Sequence, residues 1–231
     1  MKLTKLIPII AVLVGCSTAQ AQVSQQRQDD LTPSKVLTRM VEGNSRFVND
    51  QGNAPKINAR IAASAAGQYP KAVILSCLDS RVPVELVFDQ GIGDIFVGRV
   101  AGNVVNKDLL GSMEFATKLA GAMVVMVLGH TNCGAVAGAC DGAEMGNLTQ
   151  LLAKISPAVE AVKGVDPDQR TSANKKFLAK VIEKNVRLAV TDIRNRSAIL
   201  AKLEKKGEIK IVGAVYDLKT GKVTLLDQPA K

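Results

Sequence analysis

At 231 residues the chain is long enough for one sizeable α/β domain, and no break in composition marks a second. Hydrophobic residues make up 47% but aromatics only 3%, with no tryptophan, so the core has to be built from valine, leucine, isoleucine and alanine. The formal charge is +9, yet the cations between positions 154 and 222 alternate with acids and no basic run is interleaved with aromatic residues; this excludes the usual signature of a nucleic-acid binder and reads as a solvated surface.

Residues 1–16 read as an export signal. Lys2 and Lys5 form a positive start, residues 6–14 an apolar stretch, and Leu13-Val14-Gly15-Cys16 closes it in the manner of a bacterial lipobox, with Cys16 as the lipidation site. The competing reading is ordinary cleavage after Ala19-Gln20-Ala21. Either way the protein is expected to be exported to the periplasm, lipid-anchored to a membrane through Cys16 in the first case and soluble in the second. The apolar stretch falls short of the roughly 20 residues that a membrane span needs. Residues 17–33, Gln-rich in part, are expected to be a polar tether, and residues 34–231 the folded domain.

Pro33 after Thr32 marks a helix start, and Val36, Met40, Val41, Phe47 and Val48 form a helical apolar stripe. A second helix is expected over 59–66, ending at Gly67. Short β-branched runs at 71–77 (KAVILSC), 94–98 (DIFVG) and 122–129 (AMVVMVLG) read as buried strands, with a helical pattern at 109–119 between the last two. Residues 147–162 and 171–206 read as helices, the second long and rich in paired charges. A further strand is expected at 208–216, and the turn Lys219-Thr220-Gly221 leads into a hairpin arm at 222–226. Strands alternating with helices imply an α/β fold whose mostly parallel sheet is covered on both faces, with sites at the carboxyl ends of the strands.

Two short motifs fall at such ends. Cys77-Leu78-Asp79-Ser80-Arg81 follows one strand, and His130-Thr131-Asn132-Cys133-Gly134 follows another and contains the only histidine of the chain. Two thiolates and an imidazole suit zinc, with a fourth tetrahedral position left for water or Asp79. In an exported protein a Cys77–Cys133 disulfide is the alternative, although it leaves the neighbouring Asp, Arg and His without a role. Cys140 reads as a small buried hydrophobe. Taken alone, Asp79-Ser80-Arg81 would be a polar turn with a surface ion pair.

Cys77-x-Asp79-Ser80-Arg81 and His130-x-x-Cys133-Gly134 resemble the paired signature of the beta-class carbonic anhydrases. The likeness extends to RVPVELVFDQGIGDIFVGRVAGNVV at 81–105, LGSMEFA at 110–116 and VLGHTNCGAV at 127–136. The resemblance implies reversible hydration of carbon dioxide to bicarbonate by zinc-bound hydroxide. One zinc ion per subunit would be held by Cys77, His130 and Cys133. Asp79 and Arg81 would be the catalytic carboxylate–guanidinium dyad, with Asp79 a fourth ligand in a closed state. It also implies substrate contacts from Gln68, reached from a neighbouring subunit, and from Phe96, Ala101 and Gly134. A homodimer or larger homo-oligomer is expected, with an N-terminal helical arm clasping the partner. Leu78 and Phe115 depart from the family's usual residues. The missing tryptophan predicts that a regulatory bicarbonate pocket is absent and that Asp79 pairs with Arg81. Hydrolysis of carbon disulfide or carbonyl sulfide on the same scaffold, or a non-catalytic zinc-binding lipoprotein, are the alternative functions.

Overall fold

A computed structural model describes residues 24–52 and 57–226. The signal segment, Cys16 and the cleavage position after Ala21 lie outside the described residues. In chain order the elements are helices α1 (Gln25–Asp29), α2 (Pro33–Val48) and α3 (Ile57–Ser64), strand β1 (Ala72–Ser76), α4 (Val84–Val87) and β2 (Ile95–Arg99). A 3-10 turn (Ala101–Asn103) leads to α5 (Lys107–Glu114), which runs into a π-helical turn (Phe115–Leu119), and then to β3 (Val124–His130). Helices α6 (Gly134–Cys140), α7 (Gly146–Ala153), α8 (Ser156–Ala161), α9 (Lys175–Arg196) and α10 (Ala198–Lys205) precede β4 (Lys210–Tyr216) and β5 (Val223–Leu226).

The sheet order is β2-β1-β3-β4-β5, parallel except for β5, which pairs antiparallel with β4. Successive strand side chains alternate between its faces. Val73 and Leu75 of β1 join Val125, Val127 and Ile211 under α5, α9 and α10. Ala72 and Ile74 join Val124, Met126, Leu128 and Val212 against α2, α4 and Phe88. Both faces being covered, β1 and β3 are buried along their whole lengths, which is why their sequences read as unbroken apolar runs. A third cluster, from α6, α7, α8 and α9, closes over the carboxyl end of the sheet and includes Cys77 and Cys133.

Helix α9 buries Phe177, Leu178, Val181, Ile182, Val186, Ala189, Val190 and Ile193, a stripe at three- and four-residue spacing. It comes close to β3 because Gly129 has no side chain: a Cβ there would lie 2.5 Å from Val186 Cγ2. Gly129 precedes His130, so this contact fixes how α9 covers the end of the strand.

Four expectations change. Residues 24–33 are not a free tether: α1 forms there, Gln28 is buried, and its Nε2 donates to the carbonyls of Pro70 and Ala120 at 2.8 Å each. The stripe on α2 is spent partly inside the subunit, with Val36 and Met40 fully buried on its own sheet and only Val41 and Val48 exposed. The helix expected over 147–162 divides at residues 154–155, ahead of Pro157. The helix expected over 171–206 starts at Lys175, capped by Asn174, and breaks at Ser197, whose hydroxyl accepts from Leu200 N–H and starts α10. No helix among the described residues is long and apolar enough to cross a membrane.

The Gly129–Val186 contact predicts that Gly129→Ala destabilises the protein by about 1–3 kcal/mol through overpacking. In denaturant titrations, adding Val186→Ala should recover part of that loss. Fully additive effects would show that the close approach is not what the glycine serves.

Candidate metal centre and active site

Cys77 follows β1 directly, His130 is the last residue of β3, and Cys133 is the N-cap of α6. Because β1 and β3 run parallel with Ser76 opposite Leu128, both strands deliver their motifs to the same end of the sheet. Asn132, in the left-handed region at φ 53°, turns the chain between His130 and Cys133. The outcome is one buried cluster: the ligand atoms of Cys77, His130 and Cys133 all lie within 4.8 Å of one another. The sulfurs are 3.8 Å apart, against about 2.05 Å for a disulfide, and both cysteines are free, so the disulfide alternative falls. Cys140 is also free but only half-buried.

The donor chemistry fits a soft dication. His130 Nδ1 lies 3.0 Å from the carbonyl oxygen of Thr131, where it serves as the N–H donor, leaving Nε2 with a lone pair. Nε2 is buried without a hydrogen-bond partner, an arrangement that costs free energy unless something electrophilic sits there. The two sulfurs lie within hydrogen-bond reach of each other. The hydrogen bond with Cys133 holds the Cys77 thiol down at about 4, while that same bond, together with burial, pushes Cys133 up. The Gly102 N–H donates to Cys77 Sγ at 3.3 Å and adds to the stabilisation of a thiolate.

Asp79 stands beside this cluster, its Oδ2 3.7 Å from His130 Nε2. Arg81 grips it in a fork, Nε to Oδ1 at 2.9 Å and Nη2 to Oδ2 at 2.7 Å, and the Arg81 backbone N–H adds a third bond at 3.0 Å. These bonds from Arg81 hold the Asp79 carboxyl well below the usual carboxylate range, so it is ionised at neutral pH.

Three supporting residues escaped the sequence reading. Arg99, ending β2, donates from Nε to the Cys77 carbonyl at 3.0 Å and from Nη2 to the Asp79 carbonyl. Asn185, buried on α9, donates to the Gly102 carbonyl at 2.8 Å and so holds the turn that serves Cys77 Sγ. Gly102 itself has φ 67°, and a Cβ there would meet Ile155 Cδ1 at 2.5 Å. The available signals were a cation closing an apolar strand and an asparagine interrupting the buried stripe of a helix.

Of the expected substrate contacts, Ala101 and Gly134 adjoin the cluster. Ala101 precedes Gly102, and Gly134 follows Cys133 with nothing within 4 Å of a Cβ position. Gln68 and Phe96 do not join it. Gln68 precedes β1 and so lies at the opposite end of the sheet from Cys77, exposed beside Tyr69 and Gly93. Phe96 pairs with Val73 in the first half of β2, about 10 Å along the strand from Arg99. It packs edge-on against Phe115 at 6.2 Å and lines a groove of about 570 Å³ between α5 and the free edge of β2. Leu78 is 65% exposed, so its departure from the family pattern leaves the cluster's packing untouched.

The family model described as carbonic anhydrase matches residues 72–223. Carbonic anhydrase 2 of Mycobacterium tuberculosis is 35% identical over 204 residues, covering 84% of this chain and 93% of the relative. Carbonic anhydrase of Pseudomonas aeruginosa is 28% identical, over 81% of this chain and 86% of its own. Among solved structures, a Coccomyxa beta-carbonic anhydrase in complex with acetazolamide superposes with TM-score 0.65 at 24% identity, covering 84% and 87% of the two chains. A tetrameric beta-carbonic anhydrase of Sordaria macrospora gives TM-score 0.63 at 21% identity over 73% and 86%. By family match, by identity across nearly a whole relative and by fold, this chain belongs to the beta-class carbonic anhydrases, a family of lyases.

Proposed function

We propose that the protein catalyses the reversible hydration of carbon dioxide to bicarbonate and a proton with one zinc ion per subunit, held by Cys77, His130 and Cys133. The observation that carries this reading is the buried, partnerless Nε2 of His130 set against two free sulfurs, with all three ligand atoms within 4.8 Å of one another. A zinc ion with three protein ligands supplies a water whose pKa is brought to about 7, and hence a hydroxide nucleophile near neutral pH.

The chain's own residues do the rest. The Thr131 carbonyl fixes the His130 tautomer so that Nε2 is the ligating nitrogen. Asp79, kept ionised by Arg81, accepts a hydrogen bond from the nucleophile and aims it at the substrate carbon. A zinc store needs neither a carboxylate nor its guanidinium partner, which weighs against a purely binding role. Ala101 and Gly134 leave room beside the cluster for an uncharged substrate with little hydrogen-bonding capacity. Within the subunit Gln68 lies away from the cluster, and the family resemblance brings it from a neighbouring subunit, so this reading takes the active form as a homodimer or larger assembly. The groove beside β2, lined by Phe96, Leu109 and Phe115, offers apolar surface for that contact. The sole histidine is committed as a ligand, so protons leave through water and buffer, not through an imidazole relay. Cleavage at the lipobox would place this activity in the periplasm, anchored through Cys16; cleavage after Ala21 would leave it soluble there.

Asp79→Ala is expected to retain zinc while hydration, followed by stopped flow, falls by about a hundredfold or more. Cys77→Ser should lose the metal itself, and a zinc-replete, fully active Asp79→Ala enzyme would refute the dyad's role. At high turnover the wild-type rate should climb as buffer is raised from millimolar levels. A rate indifferent to buffer would reveal an internal proton relay that the sequence does not supply. In zinc-stripped protein, ultraviolet thiolate absorbance should report one thiolate at pH 7, titrating near 4 and absent from Cys77→Ser. Two thiols protonated at pH 7 would contradict the lowered Cys77 thiol.

A further inference from the structure

Asp79 and Arg81 belong to one short turn, and each is the other's partner. Arg81 is more than half exposed, and its side chain makes no hydrogen bond to any described residue but Asp79. The fork and the Arg81 backbone N–H fix the carboxylate to its own turn, so where it stands follows from where that turn is held. Yet the Asp79 carboxylate is only 3.7 Å from the metal-facing nitrogen of His130, so a small shift of the turn would carry an oxygen onto the fourth position that substrate chemistry needs.

One side chain from a different element holds this turn. Arg99 donates from Nε to the Cys77 carbonyl at 3.0 Å and from Nη2 to the Asp79 carbonyl, spanning the turn across a single guanidinium plane. Its own backbone is anchored where β2 and β1 end together: Arg99 is in register with Ser76, and the Val100 N–H donates to the Ser76 carbonyl at 3.1 Å. Lysine's three donors radiate from a single nitrogen and cannot reproduce the two-nitrogen fork that holds these carbonyls.

We propose that Arg99 is a positioning residue: by clamping the Cys77 and Asp79 carbonyls it keeps the Asp79 carboxylate in the Arg81 fork and the fourth metal position open to exogenous ligands. The inference deepens the zinc reading above and rests on it. Arg99 touches neither substrate nor metal, and it acts through the backbone of the turn.

The test uses full-length protein loaded with cobalt(II) in place of zinc and titrated with azide as a probe of the fourth position. In Arg99→Gln, metal content should stay at one ion per subunit while azide affinity, read from the cobalt spectrum, falls by about tenfold or more. Arg99→Lys should fall between this variant and the wild type. Adding Asp79→Ala to Arg99→Gln should restore azide binding, because the competing carboxylate is gone. Wild-type azide affinity in Arg99→Gln, or no restoration in the double variant, would overturn the proposal. So would loss of metal from both Arg99 variants, which would mean that the clamp holds the ligands and does not aim the carboxylate. A wild type that shows this azide behaviour but hydrates no carbon dioxide would overturn the activity and leave the role of Arg99 standing.

Discussion

The parallel pairing of β1 with β3 is the constraint on which everything else rests. It sets two chain segments, more than fifty residues apart, side by side and ends them at one level, so that Cys77 and His130 leave the sheet together. Burial of both strands on both faces makes that register costly to change. A slip of one residue would turn Val73, Leu75, Val125 and Val127 toward the wrong helices. The metal cluster inherits its geometry from this core.

Around the cluster, negative charge is placed and then contained. The two sulfurs lie 3.8 Å apart, an N–H from Gly102 supports Cys77, and the Asp79 carboxylate stands within reach of His130 under the grip of Arg81. An isolated concentration of anions in a buried pocket is unfavourable, and a dication relieves it. The support comes from three directions: Arg99 from β2, Asn185 from α9 through Gly102, and Thr131 from the His130 segment itself. Several of these are backbone contacts, which explains how the arrangement is set by the course of the chain as much as by residue type.

Much of the fold was legible because it depends on local pattern. The strands announce themselves as short β-branched runs, since β1, β3 and β4 are covered on both faces. The two motifs stand out because thiols, an imidazole and a carboxylate are rare directly after such runs. Helix boundaries were less visible. Ser197 interrupts a stripe whose apolar spacing continues on both sides of it, and its extended backbone and its hydroxyl bond to Leu200 mark the break. The docking of α1 depends on one glutamine amide reaching two carbonyls, Pro70 and Ala120, that are distant in sequence. Gln68 and Phe96 follow a similar logic. The family resemblance implies that they serve the site, but strand direction puts them away from it within the subunit, and strand direction cannot be read from either residue's neighbours.

Hydration kinetics of the full-length protein, followed against its zinc content, test the central claim most directly. The account predicts that carbon dioxide hydration rises in proportion to bound zinc and reaches its limit at one ion per subunit. Full zinc occupancy without hydration would contradict it.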